Sequence, residues 1–200
     1  MPSPSKVQRR LGAAVLLLAA LAVAAVFFLN RSSPAPAEVD RAALVSIDGR
    51  LHQAGQPGPF SGWMIERYPK GALKSRSALV EGRLHGVAEG WHENGQLEVR
   101  EFFDQGVSHG LRVRWYSDGQ KMSETEIVHG VPHGLFRRWH ENGALSEEIR
   151  MRDGQPDGLA LSFHPDGSLK SKAKPAGGKV LEQQFWNIGE HRLESAPEGS

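Results

Sequence analysis

The chain has 200 residues, 24% of them charged, and a formal net charge of +1. The charge is unevenly placed: residues 1–37 carry four basic groups (Lys6, Arg9, Arg10, Arg31) and no acid, which leaves 20 basic against 23 acidic groups in residues 38–200, a balance of −3. The bulk of the chain therefore offers no electrostatic footprint for nucleic acid, and zero cysteines exclude disulfides, thiolate zinc sites, thiol nucleophiles and a lipidated cysteine.

Residues 1–10 form a basic flank, and Leu11 to Leu29 follows without a charged or polar side chain. Nineteen residues of helix rise ~28 Å, close to the hydrocarbon thickness of a bilayer. Three basic residues before the segment against one after it favour an N-terminus inside and the remainder outside. Two fates stay open. One is an uncleaved anchor, with the remainder extracytoplasmic (periplasmic in a Gram-negative cell). The other is a signal peptide, cut near Ala37 at the A-x-A pattern Ala35-Pro36-Ala37 to release a secreted protein. Residues 30–43, with Pro34 and Pro36, read as a linker, and 44–62 as an N-terminal capping hairpin.

Glycines then recur with a constant step of 24, at Gly58, Gly82, Gly106, Gly130, Gly154 and Gly178. A second series is Gly62, Gly86, Gly110, Gly134 and Gly158, and a third is Gly71, Gly95, Gly119, Gly143 and Gly167. Aromatic residues keep the same count at Trp91, Trp115, Trp139 and Phe163, with Arg67 as the exception, and Tyr68, His92, Tyr116, His140 and His164 stand beside them. Leu73, Leu97, Leu145 and Leu169 repeat too, with Lys121 breaking the series.

Each unit reads as two strands. In unit 110–128, Leu111, Val113 and Trp115 alternate with Arg112, Arg114 and Tyr116, a period of two. The Ser-Asp-Gly at 117–119 predicts a two-residue hairpin turn, the returning strand covers about 121–128, and a second turn at 129–134 leads to the next unit. A helix is excluded because glycine interrupts every stretch before three turns form. The expectation is an all-β antiparallel meander over 58–178, behind the N-terminal helix, with a C-terminal cap at 179–193 and a disordered tail at 194–200. Trp91, Trp115, Trp139 and Phe163 are expected to form a row on one face, with Leu97, Val99, Leu145 and Ile149 filling between the rings. That row is either the protein's own core or an open contact face.

The units GRLHGVAEGWHENGQL (82–97) and GVPHGLFRRWHENGAL (130–145), with the lead-in around Asp48–His52 and Pro59–Trp63, resemble the MORN-repeat-variant proteins, a group often labelled YwqK-family antitoxins. The resemblance implies a twisted single-layer β-sheet acting as a protein-binding surface, and it carries no catalytic residue. Classical arrays of this kind are associated with membranes, lipid headgroups and protein assembly. Lys121, Arg67 and Asp157 depart from the pattern.

His85, His109 and His133 lie one unit apart, hence ~10 Å in a regular meander, too far to share a zinc ion. Ser171-Lys172-Ala173-Lys174 matches S-x-x-K but lacks the companion elements of a β-lactamase site. Lys170, Lys172 and Lys174 read as a solvated strip, or as contacts to a lipid headgroup or glycan. The sequence therefore leads to a non-enzymatic scaffold without cofactor or metal, held at a membrane by its N-terminal helix and engaging a protein partner. An antitoxin or immunity role, envelope binding and a homodimer are the alternatives.

Overall fold

A computed structural model describes residues 36–176 and 179–191, so the basic flank, the apolar segment 11–29, Gly178 and the tail 194–200 lie outside the described residues. Among the described residues no helix is long and apolar enough to cross a membrane. The fold is all-β. A 13-stranded sheet is built from β1 (Glu38–Asp40), β4 (Gly62–Arg67), β5 (Leu73–Val80), β6 (Arg83–Trp91), β7 (Leu97–Asp104), β8 (Val107–Ser108), β9 (Gly110–Trp115), β10 (Lys121–Val128), β11 (Val131–Trp139), β12 (Leu145–Arg152), β13 (Gln155–Phe163), β14 (Leu169–Ala176) and β15 (Lys179–Phe185). From β4 onward each strand pairs antiparallel with the next, with β8 a short side branch on β7. The strands β2 (Leu44–Ile47) and β3 (Arg50–Gln53) form a separate hairpin. Counted from the first glycine series, units 1 to 5 begin at Gly58, Gly82, Gly106, Gly130 and Gly154.

Two regions differ from the sequence reading of a linker at 30–43 and a closing cap at 179–193. Residues 38–40 pair in parallel with Trp63, Met64 and Ile65, and 41–43 make a 3-10 turn whose Ala42 N–H donates to Asp40 Oδ1 at 2.9 Å. Three residues are too few to show a period, and the anchoring comes from far away, as in the Glu38–Arg76 ion pair at 3.1 Å. Residues 179–185 prolong the sheet by one strand instead of closing it, and only 186–191 folds back, with Gly189 N–H donating to Ser168 Oγ at 2.9 Å.

The hairpin tips are longer than expected, and the turns between units are shorter than the 129–134 expected. At the hairpin tips Gly119 N–H donates to the Tyr116 carbonyl and Tyr116 N–H to the Gln120 carbonyl, which is a three-residue loop and not a two-residue one. Asp118 keeps an ordinary φ because its carboxylate accepts from Gln120 N–H at 2.9 Å, an Asx turn, and only Gly119 adopts the left-handed region, at φ +88°. Gly71, Gly95, Gly143 and Gly167 hold the same place at φ +81° to +90°. The two-residue turns are those between units. Glu81–Gly82, Gln105–Gly106, His129–Gly130 and Asp153–Gly154 each have two consecutive positive φ values, the I′ signature.

Every returning strand carries one extra residue just after the tip. Leu97 pairs with Trp91 but Val99 with Gly90, so Glu98 is a bulge, and the same slip recurs at Met122, Ser146 and Lys170. The slip changes which face the following residues take. Leu97 and Leu145 share the tryptophan face, as expected. Val99 and Ile149 do not, and so cannot fill between the rings.

The only buried cluster among the described residues sits at the N-terminal end. Leu44, Phe60 and Leu79 are buried there, and Val39, Leu51, Met64 and Leu84 pack on them. The β2–β3 hairpin thus covers one face of unit 1, and Leu51 N–H donates to the Gly82 carbonyl at 2.9 Å.

Candidate functional site

The register assigns each side chain to one of two faces. On one, direct partners run Arg76, Glu89, Arg100, Val113, Glu124, Arg137, Glu148, Leu161 and Lys172 across successive strands. Arg100 bonds Glu89 at 2.8 Å, and Arg137 reaches Glu124 at 3.5 Å and Glu148 at 2.8 Å. The hydrogen bond to Glu148 raises the Arg137 guanidinium above its ordinary range, against the opposing effect of burial. Glu89 and Arg100, and Glu124, Arg137 and Glu148, satisfy one another on this ionic face. Each pair is worth only ~0–1 kcal/mol, but the alternation fixes which strands can be neighbours.

Trp91, Trp115, Trp139 and Phe163 end their strands on this same face, opposite Leu97, Lys121, Leu145 and Leu169. The three tryptophans are half-buried and Phe163 is buried. Lys121, an exception to the leucine series, places Nζ 5.0 Å above the Trp139 ring and 2.9 Å from Glu124. Arg67 instead donates to the Gly71 carbonyl at 3.1 Å.

A tie between units explains the residues beside the tryptophans. Tyr68 Oη donates to the Trp91 carbonyl at 2.7 Å, and Tyr116 Oη to that of Trp139 at 2.7 Å. His92 Nε2 meets the Trp115 carbonyl at 3.0 Å, His140 that of Phe163 at 3.0 Å and His164 that of Trp186 at 3.1 Å. A carbonyl only accepts, so these rings carry their proton on Nε2. At the other end of the strands Gly82, Gly106, Gly130 and Gly154 donate their N–H to the carbonyls of Phe60, Leu84, Ser108 and Pro132. Both ends of every unit are therefore bonded to a neighbour. The sequence signal for the first tie was Tyr and His sharing a position, since Tyr Oη and His Nε2 both put a donor at the far end of a ring.

The other face carries Arg112 and Arg114 from β9 with Tyr116 just after it, Met122, Ser123 and Thr125 from β10, Phe136 and Arg138 from β11, and Glu147, Ile149 and Met151 from β12. They line an open groove of about 780 Å³ over units 3 and 4. Arg112 pairs with Glu101, and Arg138 with Glu147 at 3.3 Å.

His85 Nδ1 lies 3.2 Å from Asp104, the His109 and His129 rings are 5.5 Å apart, and Asp157 meets Arg152 at 2.9 Å. Among the described residues no three His, Asp or Glu side chains gather in a metal-binding arrangement. Ser171 exchanges a 2.6 Å hydrogen bond with Ser162, and Lys170, Lys172 and Lys174 are exposed.

Residues 84–105, 132–153 and 156–174 match a family model described as MORN repeat variant. The match is to the MORN fold unit. The three MORN-variant stretches begin two residues after Gly82, Gly130 and Gly154, in one phase, so the family unit and the 24-residue period coincide. MORN repeats are in general modules of protein and membrane interaction. No curated protein matches the chain.

Proposed function

We propose that this protein is a non-catalytic MORN-variant scaffold that binds another protein, with residues 38–200 carried outside the cytoplasm behind the apolar segment 11–29. The observation that carries the reading is the groove face. A second layer covers it over unit 1, whereas over units 3 and 4 it presents Phe136, Ile149 and Met151 beside arginines in an open groove. The contact surface is placed there rather than on the row Trp91, Trp115, Trp139 and Phe163, whose rings are half-buried or buried between units.

Chemical cross-linking of the full chain in its own membranes tests this. A discrete heterologous protein is expected. A band at twice the chain mass would instead assign a homodimer, and capture of lipid or glycan alone would assign an envelope-binding module; either overturns the reading. A captured partner that arrests growth when expressed alone would make the chain an antitoxin of the YwqK type. The mass of the mature protein tells the anchor from the cleaved signal.

A further inference from the structure

On the groove face the successive register partners are Val99, Arg114, Ser123, Arg138 and Glu147. Two residues along β9 stands Arg112, so three guanidinium groups share this surface with two carboxylates, Glu101 and Glu147. Both carboxylates are taken, by Arg112 and Arg138. Arg114 is exposed between Val99 and Ser123, and among the described residues it makes no ion pair or side-chain hydrogen bond.

The repeat gives the form of an occupant. Met64 and Leu79 of unit 1 correspond, two and three units on, to Arg112 and Phe136, and to Ile127 and Met151. In unit 1 this surface lies under an extended strand pair, with Leu44, Leu51 and Phe60 on Met64, Leu79 and Leu84. In units 3 and 4 the same face continues from that interface with Ile127 buried, but Phe136, Ile149 and Met151 line the open groove beside added arginines.

We infer that the groove docks an extended segment of the partner protein, with a Glu or Asp side chain on Arg114 and apolar side chains at alternate positions beside it, on the side of β11 and β12, resting on Phe136, Ile149 and Met151. Alternate residues of an extended strand face the same way, so this spacing presents acid and apolar groups to one surface. A carboxylate on a guanidinium gives a paired, charge-assisted contact that no described residue supplies. The inference rests on the scaffold reading and narrows it to one surface and one partner chemistry.

The probe is a short fluorescein-labelled peptide with a central glutamate, valine two residues to each side and threonine between, read by anisotropy against the full chain in nanodiscs. The glutamate peptide is expected to bind about tenfold or more tightly than its glutamine version. Arg114→Gln should erase that preference, and Ser123→Glu, which sets a carboxylate beside Arg114, should do the same with the groove intact. Arg100→Gln, on the ionic face, should keep it. Equal affinity for the two peptides, or a preference that survives Arg114→Gln, overturns the inference. So does Arg114-dependent binding of phosphatidylglycerol vesicles without peptide binding, or a change of assembled mass in Arg114→Gln, which would assign the groove to a second copy. Partner cross-linking undiminished in Arg114→Gln would overturn the groove and leave the scaffold reading standing. Absence of a cross-linked partner in the unaltered chain would sink the scaffold reading itself.

Discussion

The first strands of the sheet lie under a second layer, with Leu44, Phe60 and Leu79 buried where the two meet, whereas at the opposite edge β15 leaves Val180, Leu181 and Phe185 between 59 and 68% exposed. Apart from the parallel β1, both ends have the same neighbour-to-neighbour antiparallel pairing, so the contrast separates two sources of stability. The C-terminal end relies on backbone ladders, the His164 tie, the burial of Phe163 and Leu169, and the fold-back of 186–191 onto Ser168. The N-terminal end adds an apolar cluster between two layers. A single sheet layer has little interior, and in this chain much of it is concentrated where the hairpin lies.

Removing that interior should be the most damaging change. Leu79→Ala is expected to cost about 2–4 kcal/mol in urea unfolding, while Leu181→Ala at the bare edge should stay within about 0.5 kcal/mol. Similar values would erase the contrast. Next comes Gly82→Ala. An added Cβ would stand 2.7 Å from the Leu51 carbonyl oxygen on a residue with φ +74°, so the hairpin would have to lift; a loss of about 2 kcal/mol or more is expected by the same measurement. Gly106→Ala, where nothing lies within 4 Å of that Cβ, should cost about half as much from backbone strain alone.

A smaller effect tests the ties along the middle of the array. His140→Phe removes the bond to the Phe163 carbonyl and should cost about 1 kcal/mol, whereas His140→Tyr restores a donor of the kind used at Tyr68 and Tyr116 and should cost little. Least costly is acidification at the C-terminal fold-back. The Asn187 side-chain amide, and then its backbone N–H, hold the Glu190 carboxyl below its ordinary range. A depressed carboxylate contributes fully above the ordinary range and loses its contribution as pH falls through the lowered value. The Asn187 amide resonance should therefore shift with the Glu190 titration, and Glu190→Gln should abolish that shift.

Much of this architecture was legible in the residues. The strands of units 1 to 5 follow from glycine and aromatic periods, because each turn demands a residue type and each strand end repeats its partner. The turn types were not, since Asp118-Gly119 and His129-Gly130 both end in a left-handed glycine. What separates them is the Asp118 side chain accepting from Gln120, which frees Asp118 from a positive φ. The groove was hidden for a related reason. One bulged residue in each returning strand sends Val99 and Ile149 to the face opposite the tryptophans, and no residue type announces that slip. The alternation of Arg112, Arg114 and Tyr116 with Leu111, Val113 and Trp115 set Arg114 on the face opposite Trp115, and the register adds that its row neighbours are Val99 and Ser123.

The ties between units also set how such a chain can change its length. Loss of a single residue inside a unit breaks the step by which a ring finds the next carbonyl, but loss of a whole unit does not. With 130–153 excised, Tyr116 would meet the carbonyl of Phe163 in place of Trp139, and Gly154 that of Ser108 in place of Pro132. With 106–129 excised the same bonds re-form, yet Arg100 would then stand opposite Arg137. Two genes shortened by equal lengths would thus encode unequal proteins, one electrostatically quiet and the other carrying a like-charge seam. In such a lineage, the spelling of the ionic row decides which duplications and losses survive.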